Sequence, residues 1–281
     1  MKKLFIIIYI LAFCIPPSLA CHNFSSSNDT KAVEKLLKSQ VKYANKMNFD
    51  RFIKTYASDY KNSDGFNLDM YSNLVKDIWK TYDNIQYDIE IKNIILSGNK
   101  AKVEVLETSQ AQLSMSKKYS GELKSTSSTT YDLIKNDGSW KIISDTVHDE
   151  TTTMLYGDAK GLDIKLSVPN QVNANEEYSA VLEFIPPSNT IAVASIASDI
   201  VEYPQKPTEE VFRTMPEDNI LERLLISNNK NANEYVIASI GLTKTLIDDT
   251  SIKLNLTGFG YTIKRVNVLT NNIGDNNVKT K

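Results

Sequence analysis

Two groups of residues in this sequence have the types and spacing to do chemistry. His148 and Glu150 lie two apart in a segment of alternating polarity, so a β-strand would place both side chains on one face. An imidazole beside a carboxylate can act as a general acid and base. Asp59, Tyr60 and Tyr71 form the second group, because polar side chains of these types can face a pocket. In the alternative interpretation the first group is a solvated strand end and the tyrosines belong to an ordinary amphipathic wall.

The composition excludes several kinds of site. The chain of 281 residues contains two Cys and two His. The run His148, Asp149 and Glu150 offers at most two convergent ligands, whereas zinc sites need three or four. No nucleophile-elbow, P-loop or dinucleotide motif occurs, and the scattered Lys and Arg with a net charge of −2 argue against nucleic acid. We therefore expect no metal, no cofactor and no nucleic-acid partner.

The N-terminus has the pattern of an export signal. Lys2 and Lys3 precede an apolar run over residues 4–15, and small residues lead to Ala20. The run of about 12 residues is shorter than the ~20 that a membrane-spanning helix needs. We expect residues 1–20 to be a signal peptide that is cleaved after Ala20.

Cleavage leaves one cysteine. Cys14 departs with the signal, and Cys21 becomes the first residue. The sequence Ser-Leu-Ala-Cys at 18–21 resembles the bacterial lipoprotein signal, which implies that Cys21 carries lipid and anchors the chain to a membrane of the cell envelope. Residues 21–29 would then be a polar tether. The alternative is release as a secreted or periplasmic protein.

Hydrophobic spacing places helices before strands. An apolar stripe with a period of 3.6 residues runs from Val33 to Ala44, and shorter stripes follow at 50–60 and 68–79, separated by a loop cluster at 62–65. Beyond Trp79 the period changes to two, which predicts strands. These strands cover 85–91, 101–105, 122–135 and 140–144, with turn residues at 97–100 and 136–139. Helices followed by an antiparallel sheet indicate an α+β layer.

A known superfamily shows the same arrangement. The phrase Asn-Phe-Asp-Arg-Phe at 48–52 and the hairpin at 131–143 resemble the nuclear transport factor 2-like superfamily, which includes SnoaL-like polyketide cyclases and ketosteroid isomerases. The resemblance covers about residues 30–150. It implies three helices on a curved antiparallel sheet with a pocket at the open end of the cone. It also implies a homodimer through the exposed sheet face, where the Thr and Ser run at 125–130 is the candidate surface.

The second half contains only short alternating runs divided by turns. About seven strands over residues 161–270 indicate a β-sandwich that resembles an immunoglobulin-like domain without its disulfide. The predicted fold is thus α+β: a cone of three helices on a curved antiparallel sheet, then an all-β immunoglobulin-like sandwich. The predicted division is signal 1–20, tether 21–29, first domain 30–152, linker 153–160, sandwich 161–270 and a polar tail 271–281.

Two functions are compatible with these features. The first is a non-enzymatic, lipid-anchored envelope protein that binds a protein or a small apolar ligand, and the sequence favours it because no catalytic constellation stands out. The second is an extracytoplasmic isomerase, dehydratase or cyclase acting in the cone pocket, which depends on the resemblance alone.

Overall fold

The computed structural model describes residues 24–114, 120–230, 232–248 and 251–269. Ala20 and Cys21, with the predicted signal and residues 21–23 of the predicted tether, lie outside the described residues, as does the tail from residue 270. The remaining residues of the predicted tether, 24–29, form the start of α1. The helices are α1 (Phe24–Ala44), α2 (Phe49–Ile53) and α3 (Leu68–Thr81). The strands are β1 (Gln86–Ser97), β2 (Lys100–Ser114), β3 (Ser120–Asn136), β4 (Ser139–Gly157), β5 (Lys165–Ser167), β6 (Gln171–Asn173), β7 (Glu177–Glu183), β8 (Ile191–Ile200), β9 (Arg213–Thr214), β10 (Ile220–Ile226), β11 (Glu234–Asp248) and β12 (Ser251–Leu269).

The three helices occur where the apolar stripes predict them. The side chain of Asn67 caps α3 by accepting the backbone N–H of Met70 at 2.9 Å. Helix α2 is shorter than its stripe, because the chain beyond it pairs with β4: the N–H of Ala57 donates to the carbonyl of Ile142 at 2.8 Å. None of the helices in the described parts of the chain is long and apolar enough to span a membrane.

The predicted fold class, a helical cone on a curved sheet followed by an immunoglobulin-like sandwich, is wrong. The chain is mostly β, and nine strands in its described part form one sheet that runs through both halves in the order β1-β2-β3-β4-β12-β11-β8-β9, with β6 beside β12. Strands β4 and β12, each 19 residues long, make the join by pairing antiparallel from Gly157 and Gly258 to Thr151 and Lys264. Period-two spacing tells which face of a strand is buried but not which strand lies beside it.

Two hydrophobic cores lie along this sheet. The first packs α1, α2 and α3 on β1 to β4 and includes Leu37, Trp79 and Val103. The second lies between β8, β11 and β12 and a separate three-stranded sheet ordered β10-β7-β5, and it includes Leu182 and Val236. Strand β4 passes through residues 153–157, which fall in the predicted linker. The division into domains at 30–152 and 161–270 stays a prediction.

Candidate functional site

A pocket of about 200 Å³ lies between the helices and the first three strands. Its two walls differ in character. The helix wall is apolar, and the sheet wall carries a carboxyl and a row of hydroxyls. The helix wall is formed mainly by Val41, Ala44, Phe52, Leu74, Val75, Ile78 and Trp79; the sheet wall by Tyr87, Glu107, Ser109, Ser125, Ser127 and Tyr131.

The strand register explains the polar wall. In β2 the inward positions pass from Val105 through Glu107 and Ser109 to Ala111, so two polar residues interrupt an apolar row. Glu107 lies opposite Ser127 of β3, and Ser109 lies opposite Ser125. The polar side chains therefore gather at mid-height on the inner face of the sheet, with apolar packing above and below them.

Glu107 is the ionisable group at the centre of this wall. Its Oε1 accepts the hydroxyl of Tyr131 at 2.7 Å, and its Oε2 accepts the hydroxyl of Ser127 at 3.5 Å. Burial raises the pKa of Glu107 above the usual range, while the hydrogen bonds from Tyr131, Thr129 and Ser127 lower it in part. A carboxyl with a raised pKa on a pocket wall can bind a hydrogen-bond donor or exchange a proton with a bound molecule.

Three tyrosines form a cluster beside the pocket. The rings of Tyr56, Tyr60 and Tyr71 have centroids 4.9 to 5.4 Å apart. Gln40 donates its side-chain N–H to the hydroxyl of Tyr56 at 2.5 Å, and Tyr56 donates to the hydroxyl of Tyr71 at 3.0 Å. Tyr71 lines the pocket, and burial raises its pKa well above that of a free tyrosine. The hydroxyls therefore remain protonated and act as neutral hydrogen-bonding groups.

A second carboxyl lies behind this cluster. Asp145 on β4 is buried and accepts the hydroxyl of Tyr60. Burial raises the pKa of Asp145 to about 6, Glu107 and Asp64 add to the rise, and the Tyr60 hydrogen bond and Arg265 oppose it. The carboxyl of Asp145 does not line the pocket; it holds the ring of Tyr60 in the tyrosine cluster.

A buried ion pair lies further along the sheet. Arg265 of β12 contacts Asp64, which belongs to the loop at 62–65, and Asn233 also donates to Asp64 at 2.7 Å. On the same side, the hydroxyl of Tyr235 donates to Glu150 at 3.0 Å. This group ties the loop from the first half onto strands of the second half.

The sequence-predicted site residues are only partly brought together. Asp59 is exposed in the turn after α2, Tyr60 is buried against Asp145, and Tyr71 lines the pocket. His148 is exposed and bonds Thr130 at 2.7 Å. Glu150 bonds Tyr235 instead, and burial raises its pKa. In the described part of the chain no cluster of three or more His, Cys, Asp or Glu could hold a metal.

Sequence reasoning missed Glu107. The strand was expected to end at residue 105, but β2 continues to Ser114 in the same phase. Position 107 is therefore an inward position that carries a charge. The sequence did contain a signal: continuing the alternation of Ala101, Val103 and Val105 places Glu107 on the inward face. A charged residue there is informative, because burying it costs desolvation energy.

Comparisons with known proteins find partial matches among solved structures. No protein-family model and no curated protein matches the chain. Among solved structures, Bd1075 of Bdellovibrio bacteriovorus matches at 15% identity and a TM-score of 0.37 over 43% of this chain and 41% of its own. A conserved protein from Planctomyces limnophilus matches at 10% identity and a TM-score of 0.36 over 42% of this chain and 94% of its own. An NTF2-like protein of unknown function from Pseudomonas putida matches at 12% identity and a TM-score of 0.31 over 43% of this chain and 86% of its own.

The Pseudomonas neighbour is described as NTF2-like, the superfamily that the sequence resembles. The chain spans less than half of the Bdellovibrio protein. With TM-scores below 0.5, none of these likenesses bears on the chemistry of the pocket.

Proposed function

We propose that the chain binds a small organic molecule in the pocket between the helices and β1 to β3. The observation that carries this proposal is the contrast between the walls: apolar helix side chains on one side, Glu107 with Ser109, Ser125 and Ser127 on the other. A pocket with apolar walls and a few placed polar groups is the usual form of a small-molecule site. The ligand would be amphipathic, with its polar edge toward the sheet.

A titration with 2-phenylethanol tests this proposal. The probe has an aromatic body and one hydroxyl, and binding should change the fluorescence of Trp79 and the amide signals of Ser109 and Ser125. The variant Ser109→Phe places a ring in the pocket and should abolish these changes. Glu104→Phe is the matched control, because Glu104 is an exposed residue of the same strand on its other face. Equal responses from both variants, or none from the unchanged chain, would reject the proposal.

A second candidate is proton transfer at Glu107, as in an isomerase, dehydratase or cyclase. The specific observation in its favour is the 2.7 Å bond from Tyr131 to a carboxyl that borders the pocket, because a positioned acid and a hydroxyl donor are the parts such a reaction needs. Deuterium exchange at the α-carbon of phenylacetone, followed by NMR, tests it. Exchange above the buffer rate that is lost in Glu107→Gln supports the enzyme, and exchange at the buffer rate rejects it.

We also propose that the chain is exported and held at a membrane through lipidated Cys21, with its second half free to contact a protein partner. The support is the arrangement of the first 21 residues. Mass spectrometry of the N-terminal peptide from cells that make the full chain tests the anchor. A Cys21 peptide carrying acyl groups supports it, and an unmodified Cys21 at the N-terminus indicates a secreted or periplasmic protein.

A further inference from the structure

The charge inside the pocket is unbalanced. Glu107 is its central carboxyl, and Asp88 stands at the exposed rim. Among the residues that the structure describes, no Lys, Arg or His lines this pocket. The hydrogen bonds to Glu107 come from the neutral hydroxyls of Tyr131, Thr129 and Ser127. The site therefore has the charge that a cation requires and has no group to neutralise an anion.

Aromatic side chains surround the same space. Phe52, Tyr71 and Trp79 line the pocket from the helix side, and Tyr87 and Tyr131 line it from the sheet. The indole N–H of Trp79 donates to the hydroxyl of Tyr87 at 3.2 Å, which holds these two rings in place. The faces of such rings attract organic cations, and quaternary ammonium groups are bound in cages of this composition.

One basic residue, Lys124, lines an adjoining depression. This polar depression is continuous with the pocket, since the two share Tyr87, Asp88, Thr108, Ser109 and Ser125. The ammonium of Lys124 pairs with Glu122 on the same strand at 3.1 Å. Lys124 itself does not line the pocket, so a carboxylate or phosphate ligand inside it would meet Glu107 without a counter-ion from the pocket lining.

From this placement we infer that the ligand of the pocket is a small organic ammonium ion, with its charged nitrogen facing Glu107 and its carbon atoms against the aromatic wall. The inference rests on the proposed small-molecule function and narrows it to one ligand class. The ammonium supplies the counter-ion that the lining does not give Glu107. The hydroxyl of Ser109 faces the same space and can bind a hydroxyl on the ligand, whereas Ser125 already bonds Thr152 at 2.7 Å. A pocket of about 200 Å³ accommodates one molecule of this kind.

Choline and its neutral isostere 3,3-dimethyl-1-butanol provide the test, because they share shape and differ in charge. We expect calorimetric titration of the full chain to give a choline dissociation constant at least about tenfold lower than that of the alcohol. In Glu107→Gln the choline affinity should fall at least about tenfold while the affinity for the alcohol stays within about twofold. Glu104→Gln, an exposed change on the same strand, should leave both unchanged.

The outcomes separate this inference from the function on which it rests. Equal or tighter binding of the alcohol overturns the ammonium assignment and leaves a small-molecule pocket. Absence of binding by both probes also overturns it, and the 2-phenylethanol titration with Ser109→Phe then decides the pocket by itself. If Glu107→Gln does not fold, the comparison of the two probes on the unchanged chain still gives the answer.

Discussion

The guanidinium of Arg265 binds both carboxylate oxygens of Asp64, with Nη2 at 2.6 Å from Oδ1 and Nη1 at 3.1 Å from Oδ2. The two residues are 201 positions apart in sequence, and their side chains are only 1% and 6% exposed. Arg265 also donates from Nε to Asn267 at 2.8 Å. The pair connects a loop of the helical half to the last strand of the sheet, so it joins parts of the chain that each pack in a different core.

Removing one partner of this pair should destabilise the protein strongly. Arg265→Met leaves Asp64 buried without its cation, and we expect the free energy of unfolding to fall by about 3–5 kcal/mol. Chemical denaturation measures this. The exposed pair of Lys38 and Glu34, at 3.6 Å, is the control: Lys38→Met should change stability by less than about 1 kcal/mol. If Arg265→Met lowers the free energy of unfolding no more than Lys38→Met does, the buried pair does not stabilise the fold more than an exposed pair.

Asp145 should make stability depend on pH. An unfolded Asp loses its proton near pH ~3.9, whereas burial in the folded chain raises the pKa of Asp145 to about 6. Between these values the folded state holds more protons, so the free energy of unfolding falls as pH rises, by about 3 kcal/mol in total.

Denaturation curves between about pH 4 and pH 7 measure this slope. In Asp145→Asn the slope should become shallower, and the variant should gain stability relative to the unchanged chain as pH rises. Burial also raises the pKa values of Glu107 and Glu150. The stability of Asp145→Asn should therefore still fall somewhat as pH rises. An unchanged slope in Asp145→Asn would contradict the assignment.

Tyr131 should hold down the pKa of Glu107. Its hydroxyl donates to the carboxylate at 2.7 Å, and a hydrogen bond to the charged form favours ionisation. In Tyr131→Phe we expect the pKa of Glu107 to rise further, as followed by the NMR titration of the carboxyl carbon. Tyr87→Phe is the matched control, because the Tyr87 hydroxyl accepts from Trp79. If the pKa of Glu107 changes only in Tyr87→Phe, Tyr131 is not the hydrogen-bond donor that lowers it.

Glycine should be required at position 157, at the end of the paired segment of β4 and β12. Gly157 and Gly98 have nearly the same positive φ, 59° and 60°. A Cβ on Gly157 would overlap the carbonyl oxygen of Thr257, whereas a Cβ on Gly98 would meet nothing within 4 Å. We expect Gly98→Ala to cost about 1 kcal/mol for its backbone conformation. Gly157→Ala should cost on the order of 3 kcal/mol, because overpacking is added.

Thermal or chemical unfolding of both variants measures the difference. Equal losses would mean that β4 and β12 separate easily at this point. A larger loss for Gly157→Ala would identify this end of the β4–β12 pairing as a rigid part of the sheet.

Much of the local structure could be predicted from spacing alone. The stripe from Val33 to Ala44 and the later stripe with Trp79 predicted helices that the structure contains, and the turns at 97–100 and 136–139 are the hairpin turns of the sheet. Local signals suffice here, because helix periodicity and turn residues act within a few positions. The second helix is the exception, since its end is set by pairing with Ile142, far along the chain.

The candidate site could be predicted only in part. Tyr71 was chosen as a pocket residue and lines the pocket. The pair of His148 and Glu150 was chosen for its shared strand face, yet the two side chains bond different partners, Thr130 and Tyr235. Spacing of two residues sets the face but leaves the neighbours across the sheet open.

By itself, the sequence determined where helices and hairpins form, which side chains alternate into the cores, and that few groups capable of catalysis are present. Only the tertiary structure decided that β4 and β12 merge two halves into one sheet, that Asp64 meets Arg265, and that Glu107 faces an aromatic pocket without a cation. The reason is physical. Periodicity is a property of neighbours along the chain, whereas pairing, ion contacts and cavities depend on which distant segments bury each other's surface.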